Sequence, residues 1–378
     1  ASEDHTYQKT VRNSNNEEEI VTTTGTVYTK GRVFGCNNLN GSPKGNVTVS
    51  VWQTMPLEGS THTYTEVGGK YEIQGVYGGG NLANYEPATG KKTTVDIHGC
   101  DRTSIQYVFG GGNAASVPET HVNIYGTFEI EAVFGGGNGN EPIKSEGTWV
   151  QSPGAEITGD THVTLMAGLM HQAFGGSFEK GIIRGQTYLE KNGEGGEEDC
   201  VLKITDIFGG GKDADVDGGI NIVLSECHMS ELQHEGEDTQ YQQIENVYAG
   251  SYNARIFGPV VMTVRSGTFK NVFGGNYSGG FINGPITVNI EETENCKPIK
   301  ITNLYGGGNY APYPGAGAHN SNPKITVNVK ACTSIGNVYG GSYHADVNGD
   351  TEVNINMIKG WWAGKTYTST GDNPVSEY

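Results

Sequence analysis

Long hydrophobic runs are missing from this 378-residue chain. No apolar stretch approaches the 18 or so residues of a membrane-crossing helix, which argues against membrane insertion. Positive charge is scarce as well: 24 Lys and Arg stand against 42 Asp and Glu, a net charge of −18. That balance argues against nucleic acid and anionic lipid as partners. Only 35% of the residues are hydrophobic, which suits a thin rod whose core is one side chain deep. Serine-type and cysteine-type nucleophile motifs are lacking. So is a phosphate-binding loop, because no Lys-Ser or Lys-Thr follows the Gly-Gly-Gly-Asn runs. The six cysteines have no metal-type spacing.

Glycine, by contrast, is abundant, with 59 residues. Its placement is regular. The stretch Val76-Tyr-Gly-Gly-Gly-Asn81 returns around Phe34, Tyr77, Phe109, Phe134, Phe174, Phe208, Tyr248, Phe273, Tyr305 and Tyr339. Intervals of 25 to 43 residues separate these ring positions, as expected where each repeat touches only its neighbours and insertions leave as side loops. Three pieces make up a repeat. The first reads Ile-x-Asn-Val-Tyr, as at Ile335–Tyr339. The second reads small-x-apolar-x-Gly, as at Ala214–Gly218 and Ala254–Gly258. The third alternates, as in Val288-Asn289-Ile290, Val327-Asn328-Val329 and Val353-Asn354-Ile355. Period-two alternation of β-branched residues bounded by glycine reads as a half-buried strand.

The fold class read from this pattern is all-β: a single-stranded parallel β-helix (β-solenoid) of about ten turns, with three short strands per turn and side loops. With strands about 4.8 Å apart, the ring residues form one column. Asp206, Asn246, Asn271, Asn303 and Asn337 form a second, bonded amide to amide. The glycines fit corners that need positive φ or close backbone approach. Residues 1–30 read as a polar N-terminal leader or cap, with no signal peptide visible. Residues 31–358 read as the β-helix, and 359–378 as a C-terminal cap or tail carrying Trp361 and Trp362. The excursions Thr54–Lys70, Gly139–Gly159, Lys191–Asp199, Glu231–Gln243 and Tyr310–Pro323 read as solvated loops.

Cys100, Cys227 and Cys332 share one repeat position in turns too far apart to bridge one another. Cys36, Cys200 and Cys296 have no evident partners, and buried free thiols are the expectation.

Several constellations could carry chemistry. Asp213-x-Asp215-x-Asp217-Gly218 imitates the start of a calcium loop, but Leu224 stands where the closing acid belongs, so Ca2+ is a weak expectation. Repeat alignment sets Arg184 beside Asp217, and Asp215 beside Arg255, with the aspartates outward. Such an acid and arginine patch would serve a polysaccharide lyase or glycoside hydrolase; plain charge pairing is the simpler account. Tyr252, Tyr277, Tyr310, Tyr313 and Tyr343 follow the glycines. They could form a platform for sugar rings or a protein partner, or stack on one another to cover the corner. The outward column Ser50, Asp96, Asn123, Thr164, Tyr188, Val223, Thr263, Asn289, Asn328 and Asn354 is a flat polar surface suited to glycan binding, to lying against another rod or to plain solvation. His121 and His162, on consecutive turns, could hold a metal, but no third ligand is evident.

The Val-[Phe/Tyr]-Gly-Gly-Gly-Asn repeats at Val76, Val108 and Val133, with the Leu304 variant, resemble those of secreted or surface-anchored, adhesin-like β-helix proteins of gut Bacteroidetes. The resemblance covers about residues 33–358. It implies an extracellular or bacterial cell-surface setting and carries over no catalytic residue. The expected function is therefore non-enzymatic: adhesion, glycan or partner binding, or surface assembly. The alternatives are a polysaccharide lyase or hydrolase on the same scaffold and a self-polymerising fibre subunit. No cofactor beyond the weak Ca2+ case is expected, and self-association is a possible partnership.

Overall fold

The computed structural model describes residues 2–13, 15–28, 31–54, 71–193, 195–197, 200–225, 244–294, 296–357, 368–370 and 373–375. Every regular element among them is a β-strand. Two parallel sheets of ten strands each dominate. The chain visits them alternately and always moves to the next position in the stack, so each rung gives one strand to each sheet. Tyr305 pairs with Tyr339 and Asn303 with Asn337 in one sheet, and Asn328 pairs with Asn354 in the other.

In the first sheet each strand ends on a ring. All ten rings stack in one continuous column, with centroids 4.6 to 5.1 Å apart from Phe34 to Tyr339. Offset stacking of this kind adds to what burial alone contributes. Beside it runs the amide column. Asn246 donates to Asp206 at 2.8 Å, Asn271 to Asn246 at 3.1 Å, Asn303 to Asn271 at 3.0 Å and Asn337 to Asn303 at 3.0 Å. The GGGN asparagines form a further ladder, Asn138 donating to Asn113 and Asn113 to Asn81.

The second sheet alternates buried Val, Ile, Leu or Met with polar residues, and the buried set fills the space between the sheets. Its first position is often a buried threonine. Thr93, Thr120, Thr161 and Thr187 each donate a hydroxyl to a glycine carbonyl at the corner of the next rung, at 2.6 to 2.8 Å.

The corner glycines answer a steric demand. A Cβ on Gly78, Gly110, Gly135 or Gly175 would press on the carbonyl oxygen of the rung above, while the positive-φ glycines lie elsewhere. Close approach therefore explains them. Ala249 holds the equivalent place in its rung, which shows that one methyl can be accommodated.

The expected third strand per turn is much reduced. Ile182–Ile183 pairs with Asp215–Val216, and single bridges join Val117 to Ile157, Val216 to Ile256 and Ile256 to Ile282. Among the described residues, two or fewer per rung are held in ladder geometry there.

The described part of the N-terminal segment, residues 2–13 and 15–28, docks on the stack. Ser2–Arg12 and Glu18–Tyr28 form an antiparallel hairpin that lies along the rungs. Tyr7 is buried, Lys9 pairs with Glu179, and Asn16 at the tip donates to the Ala316 carbonyl at 3.1 Å. The Gly139–Gly159 excursion is likewise ordered. Ile143–Ser145 and Thr148–Val150 pair, and Trp149 stacks on His5 of the hairpin at 3.7 Å.

Expectation and structure differ most on cysteine. Cys100 and Cys200 form a disulfide with Cα atoms 5.7 Å apart, and Cys296 is also disulfide-bonded. Cys36 keeps the expected role of a half-buried free thiol, and Cys332 is half-buried against the core. Glu197 accepts from the backbone N–H of Gly99 and Cys100. Cys200 meets Cys100 roughly three rungs, or about 14 Å, back from the strand that ends at Lys191, a return that strand alternation does not encode. Residues 194, 198 and 199 lie outside the described residues. Cys227, Trp361, Trp362 and the Thr54–Lys70 and Glu231–Gln243 excursions lie outside the described residues, apart from Thr54 itself.

Candidate functional site

After each glycine corner the chain turns its small and apolar residues inward, at Ala214, Val216, Ala254 and Ile256, all buried. The charged residues between them form the patch expected from repeat alignment. Arg184 donates to Asp217 at 2.8 Å and to Glu156 at 2.6 Å on an open surface. Arg255 donates its guanidinium to Asp215 at 2.6 and 3.0 Å and its backbone N–H at 2.9 Å.

Asp215 does not face solvent as expected. Arg12 of the hairpin covers it, donating to both carboxylate oxygens at 2.9 and 3.1 Å, and Asp215 retains 5% exposure. A general base needs a free lone pair near substrate, whereas five hydrogen bonds from two arginines occupy this carboxylate. The Asp213–Asp217 segment is thus partitioned among separate partners. Asp213 accepts from Asn253 at 3.2 Å, Asp215 takes Arg12 and Arg255, and Asp217 takes Arg184. Burial raises the Asp213 carboxyl, with Asn253, Lys212, Lys9 and Arg12 pulling it back. Arginine and lysine supply here the positive charge that calcium would bring.

The hairpin creates clefts at its flanks. One of about 340 Å³ lies among Lys9, Arg12, Glu18, Glu179 and Asp213. A wider one of about 610 Å³ is lined by Glu18, Asn84, Glu156, Lys180 and Arg255. Sequence reasoning missed both, because they exist only where the hairpin docks.

The tyrosine row divides. Tyr252 and Tyr277 pack over the ring column, at 5.7 Å from Phe208 and 5.3 Å from Tyr248, and lie 4.8 Å from each other. They cover the corner, the second of the two readings. Tyr310 and Tyr343 are exposed, 53% and 52%, and His344 stacks on Tyr310 at 5.3 Å. Tyr313 is withdrawn from the set: it is 1% exposed and donates to the Gly284 carbonyl at 2.9 Å. Its proximity in sequence to Tyr310 concealed that it points into the stack.

On the second sheet Asn328 donates to Asn289 at 3.0 Å and Asn354 to Asn328 at 3.1 Å. These three asparagines are spent largely on one another. The outward column contains Glu190 in place of Tyr188, which sits beside His162. A two-residue slip leaves period-two alternation unchanged, so the pattern could not detect it.

The neighbouring column carries rings. His121 stacks on His162 at 4.4 Å, and His162 on Tyr188 at 4.7 Å. Here the structure supplies the third ligand that was not evident: Glu119, two residues before His121, with one donor atom of each residue within 4.8 Å of the others. Alternation was the available signal, since residues two apart on a strand share a face. No family model matches the chain, and neither a curated protein nor a solved structure does.

Proposed function

We propose that this chain is a single-stranded parallel β-helix that acts without catalysis, presenting its flat faces to a glycan or protein partner at a bacterial surface. The observation that carries the reading is the closure of the charged groups. Asp215 is covered and fully bonded, and Arg184 is engaged by Asp217 and Glu156. What remains open is repetitive and polar, with Tyr310 and Tyr343 exposed beside it. An oxidising, extracellular setting is supported by the Cys100–Cys200 bond, since disulfides persist outside reducing compartments. The resemblance of the glycine repeats to adhesin-like proteins points the same way.

A glycan array and binding to bacterial and host cell surfaces test the proposal, with a Tyr310→Ala, Tyr343→Ala double variant as comparison. Loss of at least half the wild-type signal in the variant is expected. Equal binding by both proteins would refute the assignment of that face.

One observation favours a second reading. The 610 Å³ cleft brings Glu18 and Glu156 together with Lys180 and Arg255, a set that could act on an acidic or neutral polysaccharide. Release of reducing or unsaturated ends from a polysaccharide panel, abolished in Glu156→Gln, would establish it in place of the binding role.

A further inference from the structure

We propose that Glu119, His121 and His162 form a site for one borderline transition-metal ion, Zn2+ in the first instance, on the outward face of the second sheet. The parallel register builds it. His121 and His162 are direct partners on adjacent strands, and Glu119 leads into His121 on the same face. Its carboxylate lies 3.0 Å from His121 Nε2. All three are half-buried, and one ligand atom from each lies within 4.8 Å of the other two. Two imidazoles and one carboxylate are a donor set for zinc, copper or nickel, whereas calcium and magnesium take oxygen donors alone. Three protein ligands leave the fourth position to solvent.

A second observation independently shows that these donors attract a cation. The Lys92 ammonium stands 2.9 Å from His121 Nε2 and 3.8 Å from the Glu119 carboxylate. An ammonium only donates and a carboxylate only accepts. Nε2, within reach of both, therefore turns a lone pair toward Lys92 in one tautomer and an N–H toward Glu119 in the other; metal entry requires the first. Lys92 is a tethered, partly exposed cation on a flexible stem. It borders two of the three donors, His121 and Glu119, and must swing out when the ion enters. The rings, now 22° from parallel, would open further so that both nitrogens converge on one centre. Neighbouring groups fit this use. Tyr188 supports the far face of His162, and Asp160 precedes the His162 strand and adds negative charge nearby.

Titration calorimetry with ZnCl2 on the full chain tests the proposal, with Ca2+ as the contrasting ion. Expected is one Zn2+ per chain that is weakened more than about tenfold in His121→Ala and in His162→Ala, a loss at least as large as that from an outer partner. Lys92→Met should tighten binding. Co2+ substitution should give the visible absorption of a four-coordinate ion, absent from both histidine variants. Thermal melting without metal shows whether each variant folds. Zinc affinity unchanged in folded His121→Ala or His162→Ala, or weakened in folded Lys92→Met, would overturn the site. Calcium binding as tight as zinc at this site would overturn the assigned ion.

Discussion

Asp215 accepts five hydrogen bonds from two arginines while keeping almost no contact with solvent. Removing one side of a buried ion pair strands the other charge, a loss of about 3 to 5 kcal/mol. Asp215→Ala, which leaves Arg12 and Arg255 facing each other, should therefore lower stability by about 3 kcal/mol in a urea titration. The Arg184–Asp217 pair is open to water, and Asp217→Ala should leave the midpoint where it is. Similar midpoints for the two variants would show that Arg12 does not seal Asp215. Glu141 behaves differently. It is 4% exposed and accepts from Arg32 at 3.0 Å and from Asn113 at 3.3 Å. Burial pushes its carboxyl up to about 7 from an ordinary 4.5, against the pull of Arg32 and Asn113. The folded state thus holds this proton more tightly than the unfolded chain. The contribution to stability is complete below about pH 4.5 and is lost as pH rises through 7, on the order of 3 kcal/mol across the window. Urea midpoints at pH 5 and pH 8 should show Glu141→Gln gaining on the wild type at the higher pH. A constant gap between the two proteins would reject the raised value. The Arg184–Asp217 and Arg255–Asp215 pairings were legible in the repeat. The burial of Asp215 was not, because Arg12 comes from more than 200 residues away in the chain.

At the level of single elements, the ring column and amide ladders follow from repetition. In a parallel stack equal positions become neighbours, so a motif written ten times in one dimension becomes a column in three. Position in the column then sets the energy. Phe174 has rings on both sides and no exposure, so Phe174→Ala should cost roughly 3 to 5 kcal/mol. Tyr339 ends the column with a ring on one side and 46% exposure, so Tyr339→Ala should cost about 1 kcal/mol, since half its surface is already wet. Equal losses in thermal or urea melts would mean that the rings do not act through stacking and burial. The hairpin Ser2–Arg12 and Glu18–Tyr28 was not legible as such. Its Val- and Thr-rich alternation, for instance Ile20 to Tyr28, was present in sequence, but its polar, charged composition read as a leader or cap. Lys9 and Arg12 are in fact paired to Glu179 and Asp215 of the stack.

Across the whole molecule, long connections tie distant rungs together. The Cys100–Cys200 bond closes a loop of 100 residues, and in the chain-entropy account such a crosslink contributes on the order of 4 kcal/mol. Cys100→Ser with Cys200→Ser should lower the melting temperature and open the preceding connection to limited proteolysis near Glu197. An unchanged melting temperature would show that the docked loop holds its place without the bond. The two ten-stranded sheets, their order and the ring and amide columns were determined by the sequence itself. A strand pattern repeated along one chain has its lowest free energy when equal faces are buried against each other, and that requires no information from afar. The tertiary structure alone decided the reach of the hairpin, the partner of Cys100, the loss of Tyr313 to the interior and the gathering of Glu119, His121 and His162. Each of these depends on where an insertion returns or how far a strand slips, and the repeat pattern is the same for every such choice.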